Sequence, residues 1–212
     1  MRILPVVAEP EITPDLLLQA YCQGIFPMAD GRDGEIGWYR PDPRAIQPFV
    51  PGDPLGAFRV RRSLAKRVRN AGFQVTRDRC FADVIHRCAT APRGPENGDW
   101  ISPEIERLYT DLHHAGFAHS VEAWRNNQLV GGLYGVAIGA AFFGESMFSN
   151  EPDASQVCYV KLVQHLRERG YQLLDVQFVN PHLEQFGVAE IPGDEYLERL
   201  QRALRQPVSW QA

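Results

Sequence analysis

The stretch Ala118–Ser146, AHSVEAWRNNQLVGGLYGVAIGAAFFGES, decides the fold. Three strand-like runs, Ala118–Trp124, Leu129–Ala137 and Ala140–Ser146, are joined by Arg125-Asn126-Asn127-Gln128 and by Ile138-Gly139. Connections this short link neighbouring strands as hairpins, so the runs predict an antiparallel meander. Before it, Ser102-Pro103-Glu104 opens a helix whose Ile105, Leu108, Tyr109 and Leu112 share one face, and Gly116 ends it. After it, Val157, Val160, Val163 and Leu166 mark a helix from about Ala154 to Arg169, with Gly170 as its stop.

Further out, Leu173-Leu174-Asp175-Val176-Gln177-Phe178-Val179-Asn180 reads as a strand, followed by a short helix over Pro181–Phe186 and a last helix near Glu195–Arg205. Towards the N-terminus come a short strand near Phe58–Val60, a basic helix from Ser63 and a strand at Phe73–Thr76. Asp78 is read as the cap of a helix carrying Phe81, Val84, Ile85 and Cys88. The polar loop Thr90–Asp99 is expected to be exposed. Thr13-Pro14-Asp15 starts the first helix and Gly24 stops it. Ile25–Asp53 is rich in Gly, Pro and aromatics and reads as irregular chain packed through Phe26, Trp38 and Tyr39. The division is a small N-terminal domain, residues 1–54, and a larger domain, residues 55–212. Helix, three antiparallel strands, helix, strand, helix is an α+β order with a mixed sheet flanked by helices. It resembles the core of the GCN5-related acetyltransferase fold. That fold cradles a pyrophosphate on a Gly-rich turn after the meander. Here the turn is Ser149-Asn150-Glu151-Pro152-Asp153, with two acids and no glycine, which is unsuited to an anion nest and argues against acetyl-CoA.

The 212 residues suffice for one large domain or two small ones, and no apolar run reaches the length of a membrane helix. The first residues, with Glu9 and Glu11 close behind, do not read as a signal peptide. Cys22, Cys80, Cys88 and Cys158 form no CxxC pair and are expected as buried, reduced thiols in a cytoplasmic protein, with no metal site. A net charge of −4 excludes a chain that coats nucleic acid indiscriminately. The charge is uneven, however: Phe58–Asn70, FRVRRSLAKRVRN, holds Arg59, Arg61, Arg62, Lys66, Arg67 and Arg69 without an acid, a stripe fit either for phosphates or for a solvated helix face.

Polar groups interrupt two apolar strands. Asp175 and Gln177 fall on one face of theirs, about 7 Å apart, with Leu174, Val176 and Phe178 on the other. Glu145 breaks Ala140-Ala141-Phe142-Phe143-Gly144-Glu145-Ser146 in the same way. One buried carboxylate is compatible with a satisfied core acid; three such groups on an apolar floor suit orientation of a cationic or amine substrate.

These segments resemble the leucyl/phenylalanyl-tRNA–protein transferase family, bacterial aminoacyltransferases of the N-degron pathway. The likeness rests on Tyr21-Cys22-Gln23-Gly24-Ile25-Phe26-Pro27, Trp38 through Pro41-Asp42-Pro43-Arg44, Trp100-Ile101 and His119-Ser120-Val121-Glu122-Ala123-Trp124. It continues through Gly131–Val136, Gly144-Glu145-Ser146-Met147-Phe148-Ser149, Asp175-Val176-Gln177-Phe178, His182-Leu183 and Gly187–Pro192. The resemblance implies that the α-amine of a protein beginning with Arg or Lys attacks the ester of Leu-tRNA or Phe-tRNA. An ester is already activated, so no ATP, metal or CoA is implied. Asp175, Gln177 and Glu145 match the catalytic positions, leaving open whether Asp175 or Gln177 handles the amine proton. Leu133, Phe142, Ser146, Tyr159, Leu162 and Leu174 match positions that receive the amino acid; Trp38, Trp100 and Tyr109 match those framing the aminoacyl-adenosine end. Arg61, Arg62, Lys66 and Arg67 match the tRNA-binding cluster.

This chain departs from the family pattern at Gln156, where lysine is common, at Tyr159, which replaces a smaller aliphatic residue, and at Asp99, where threonine is usual. An acyl-CoA-dependent N-acyltransferase and a non-catalytic binder of basic N-termini are the competing readings; the first lacks its Gly-rich turn, the second has no use for a basic stripe. Transfer of leucine to acidic N-termini would require a basic pocket in place of these acids.

Overall fold

The computed structural model describes residues 12–70, 72–92 and 100–211; the N-terminal stretch with Glu9, most of the loop Thr90–Asp99 and Asp99 itself lie outside the described residues. In chain order the elements are α1 (Pro14–Cys22), β1 (Phe26–Ala29), β2 (Ile36–Tyr39), β3 (Arg44–Ile46), α2 (Arg62–Asn70), β4 (Gln74–Arg77), α3 (Phe81–Thr90) and α4 (Pro103–His114). There follow β5 (Ala118–Arg125), β6 (Gln128–Ile138), β7 (Ala141–Ser149), α5 (Ala154–Arg169), β8 (Leu173–Gln177), α6 (Pro181–Glu184), β9 (Ala189–Ile191) and α7 (Gly193–Leu204).

The seven-stranded sheet has the order β4-β5-β6-β7-β8-β3-β9. The meander forms as read, Asn126 and Asn127 taking the positive φ values that a tight hairpin needs (50° and 61°). α5 then returns the chain so that β8 runs parallel to β7, making the sheet mixed. The helix starts have their expected caps: Thr13 accepts from Leu16 N at 3.2 Å and Ser102 from Ile105 N at 3.2 Å. Gly170, at φ 85°, closes α5 in the left-handed cap. Helices cover both faces of the sheet. Leu17, Val84, Ile105, Leu108 and Leu200 bury one face with Tyr134 and Phe143. Leu64, Val157, Leu162 and Leu166 bury the other with Leu133, Phe142 and Leu174. Near the C-terminus Trp210 closes this second core, its ring stacked on His119 at 4.5 Å and on Phe142 at 5.4 Å.

Four expectations are corrected. Ile25–Asp53 holds a two-stranded hairpin, β1 with β2, and also β3, which lies between β8 and β9 in the main sheet. β3 is three residues long between prolines, so it carries no period of its own; its neighbours make it a strand. No strand forms at Phe58–Val60, where the Phe58 ring stacks on Phe186 and Arg59 N donates to Phe186 O at 2.9 Å. Asp78 does not cap α3. It bends left-handed (φ 54°) and accepts from Ser120 N at 2.9 Å, with its other oxygen 2.9 Å from His119 Nδ1. Cys88 and Cys158 are buried, but Cys22 and Cys80 are only partly so.

Candidate active site

β7 and β8 pair at Ala141↔Leu173, Phe142↔Leu174 and Phe143↔Asp175, and the register ends there although β7 continues to Ser149. Glu145 and Gln177 stand just past that point on the two strands. Gln177 Nε2 donates to Glu145 Oε1 at 3.2 Å, bridging the place where the ladder stops.

Glu145 is partly exposed. From α1, Tyr21 OH donates to its Oε1 at 2.7 Å, and from α4, Tyr109 OH donates to its Oε2 at 3.2 Å. The two tyrosine hydroxyls also lie within hydrogen-bond reach of each other, so their two protons serve three contacts. Desolvation pushes the Glu145 carboxyl up to about 7, against the lowering effect of the Tyr21 hydroxyl and with a further upward push from the Asp175 charge. Burial holds Tyr21 and Tyr109 well above the ordinary phenol range, so both hydroxyls remain donors.

Asp175 is 0% exposed and, like Glu145, is bonded by tyrosines of the core that holds Tyr134 and Phe143. Arg44, also 0% exposed, grips it with Nε to Oδ1 at 2.9 Å and Nη2 to Oδ2 at 2.6 Å. Tyr196 OH donates to Oδ2 at 2.7 Å and Gln177 N to Oδ1 at 2.9 Å. A carboxylate has about four acceptor positions, and all of these are in use. Burial, the largest single influence, lowers the Arg44 guanidinium, but the charge and hydrogen bonds of Asp175 together with Tyr196 and Glu145 outweigh it and raise it. The simple alternation read for β8 stops at its end. Gln177 adopts φ 58°, Phe178 N turns back to Val176 O at 2.6 Å, and Phe178 is thereby 48% exposed instead of buried beside Val176.

The amino-acid candidates Leu133, Phe142, Tyr159, Leu162 and Leu174 are all buried in the α5-side core. Tyr159 OH donates to Gln47 Oε1 at 3.3 Å, which places a hydroxyl at one end of that group. Ser146, half-buried, lies opposite Tyr134 in the β6–β7 ladder. Of the three aromatics expected at the adenosine end, Trp38 is 39% exposed on β2 and Trp100 is half-buried, its carbonyl accepting from Ala29 N at 3.1 Å. Tyr109 is fully buried, with Tyr134 edge-on at 5.5 Å, and its hydroxyl belongs to the Glu145 network.

The basic candidates lie on or beside α2, which is anchored through Leu64. Arg61, Arg62, Lys66 and Arg67 are exposed, and Asp153 holds two of them, Arg61 at 3.0 Å and Arg67 at 2.7 Å. Gln156 accepts from Arg61 at 3.1 Å, where a lysine would repel it. The start of α5 is closed on itself: Ala154 N donates to Glu151 O at 3.2 Å and Ser155 N to Ser149 Oγ at 3.2 Å. Among the described residues no cluster of His, Cys, Asp and Glu suits a metal ion, and no helix is long and apolar enough to cross a membrane.

Three residues that build the site had no role in the sequence reading: Tyr21, Arg44 and Tyr196. For Arg44 a signal existed, since a charged side chain next to Ala45-Ile46 needs a buried counter-ion and Asp175 needed one too. Tyr196 looked like any apolar position of an amphipathic helix.

An α+β protein with a polar cluster at the opening of a parallel strand pair and a basic helix packed against α5 suits an acyl-group transferase. Residues 54–201 match the family model described as leucyl/phenylalanyl-tRNA protein transferase, and residues 10–42 match the model of that family's N-terminal domain. A relative named leucyl/phenylalanyl-tRNA–protein transferase from Salinibacter ruber is 48% identical over 200 residues, covering 94% of this chain and 84% of the relative. Relatives of the same name from Akkermansia muciniphila (47% identical, 92% of this chain and 97% of the relative) and Rubrobacter xylanophilus (51%, 92% and 96%) agree. The chain belongs to the leucyl/phenylalanyl-tRNA–protein transferase family and is an aminoacyltransferase.

Proposed function

We propose that the protein moves Leu or Phe from aminoacyl-tRNA to the N-terminal amine of proteins beginning with Arg or Lys, marking them for degradation in the bacterial cytoplasm. In this reading residues 1–54 form a small N-terminal domain that reaches into the larger unit, 55–212, through β3. The observation that carries the proposal is Glu145, an acid with its carboxyl raised to about 7, held by Tyr21, Tyr109 and Gln177 where β7 and β8 stop pairing. A base of that strength is matched to an amine near neutral pH.

The amine arrives as an ammonium group and gives one proton to the Glu145 carboxylate. Its nitrogen lone pair then attacks the ester carbonyl carbon, forming the C–N bond. The bond from that carbon to the ribose oxygen breaks as the tetrahedral intermediate collapses. A second nitrogen proton goes to the leaving oxygen, and Glu145 returns its proton to water. Gln177 orients the amine, and the buried apolar group Leu133, Phe142, Tyr159, Leu162 and Leu174 takes the amino-acid side chain. Trp38 and Trp100 frame the adenosine end, and Arg61, Arg62, Lys66 and Arg67 meet phosphates. The closed start of α5 leaves its first amides unavailable to a pyrophosphate, which favours aminoacyl-tRNA over acyl-CoA as donor.

The test is incubation with radiolabelled Phe-tRNA and model proteins beginning with Arg, Lys, Asp or Ala. Label on the Arg and Lys proteins alone is the expected result; equal labelling of all four, or none, would refute the proposal.

A further inference from the structure

Asp175 is fully engaged by its neighbours, which leaves open what it contributes. Its partner Arg44 touches two routes to Glu145. Through Asp175 Oδ1, which accepts from Gln177 N at 2.9 Å, it supports the left-handed bend that aims Gln177 Nε2 at Glu145. This is a side-chain-to-backbone turn of the kind aspartate makes with the residue two positions on. Through Nη1, which donates to Gly24 O at 3.1 Å, Arg44 also ties down the end of α1, whose Tyr21 donates to the same Glu145 oxygen. The guanidinium has little room to move: Phe26 and Tyr196 place their rings 4.8 and 4.6 Å from its carbon.

We propose that Arg44 is a positioning residue for the transfer step, with Asp175 as the arm through which it holds Gln177 and the Gly24 carbonyl as the arm through which it holds Tyr21. Asp175 is then a positioning residue too, and receives no proton from the substrate. This rests on the reading of Glu145 as the group that takes the amine proton. The groups facing Glu145 are Tyr21 from α1, Tyr109 from α4, Asp175 and Gln177 from β8 and Arg44 from β3, with Tyr196 of α7 reaching it through Asp175. The two charged members push the Glu145 proton in opposite directions, Asp175 towards binding and Arg44 towards release.

The experiment measures kcat and KM against pH for Phe transfer to an Arg-initiated protein by the full chain, Arg44→Gln, Asp175→Asn, the double variant Arg44→Gln/Asp175→Asn and Glu145→Gln. Melting curves establish the folded fraction of each. Arg44→Gln is expected to lower kcat on the order of 100-fold with little change in KM for Phe-tRNA, as misplacement of reacting groups does. Its acid limb moves to higher pH, because the Asp175 charge is no longer neutralised. Asp175→Asn moves the limb to lower pH, because Arg44 is then unopposed. The double variant regains about tenfold or more in kcat over Arg44→Gln and returns the limb to its original place, a non-additivity expected of one coupled unit. Loss of the limb in folded Asp175→Asn, or a limb that stays fixed in all variants while only stability changes, would overturn the proposal. Normal transfer by Glu145→Gln would instead overturn the Glu145 reading beneath it. Should the single charge removals fail to fold, Arg44→Lys keeps the charge without the fork; a kcat loss of about tenfold with the limb in place supports positioning, and unchanged kcat overturns it.

Discussion

Replacing Glu145 by Gln should change how stability depends on pH in a direction that its surroundings dictate. The carboxyl sits at about 7 in the folded protein against an ordinary 4.5, because burial disfavours its charge. Below about pH 4.5 it is protonated folded or unfolded, and its preference for the native state is fully present. Between about 4.5 and 7 only the folded protein keeps the proton, so stability is lost as pH rises through the native value. A difference of roughly 2.5 units at about 1.36 kcal/mol each is on the order of 3 kcal/mol. Glu145 is partly exposed, and solvent screening reduces the expected effect to about 2 kcal/mol. Urea unfolding of wild type and Glu145→Gln at a series of pH values from 4.5 to 8 isolates this term, because other titrating groups cancel in the difference. The variant should gain about 2 kcal/mol on the wild type across that range, most of it between pH 5 and 7. A flat difference, or one of opposite sign, would refute the account of Glu145 as a destabilised carboxylate.

Further consequences lie elsewhere in the molecule. Trp210→Ala should cost about 3–5 kcal/mol, since a 5%-exposed ring stacked on His119 and Phe142 leaves a cavity behind; a melting temperature within a few degrees of wild type would contradict that. Lys66→Glu should leave stability within about 0.5 kcal/mol, yet weaken tRNA binding and flatten its dependence on salt. Unchanged tRNA affinity would remove Lys66 from the interface. Tyr159→Leu deletes the ring and hydroxyl beside Gln47 and should raise Phe transfer relative to Leu transfer by about tenfold, the range one pocket contact commands. An unaltered Phe-to-Leu ratio from competing charged tRNAs would show that Tyr159 does not shape the pocket.

Much of this was readable from the chain itself. The meander, α4 and α5 follow from local physics: short connectors, caps at Ser102, a stop at Gly170 and a clean change of period. Glu145, Asp175 and Gln177 were conspicuous because a polar side chain on an apolar strand requires a partner, whatever that partner proves to be. The partners were a different matter. Arg44 meets Asp175 across 131 positions of sequence, and β3 and β9 are strands only because each lies against another. Three-residue strands have no period to read, and the turn at Gln177 is set by the Asp175 carboxylate two residues before it. Local sequence therefore determined which segments are helix and strand and where polar groups are out of place, since those depend on near neighbours along the chain. Only the tertiary structure decided which acid is neutralised by Arg44 and which is left raised to about 7. Burial and opposing charge act through space, and the groups that supply them come together only when the sheet closes.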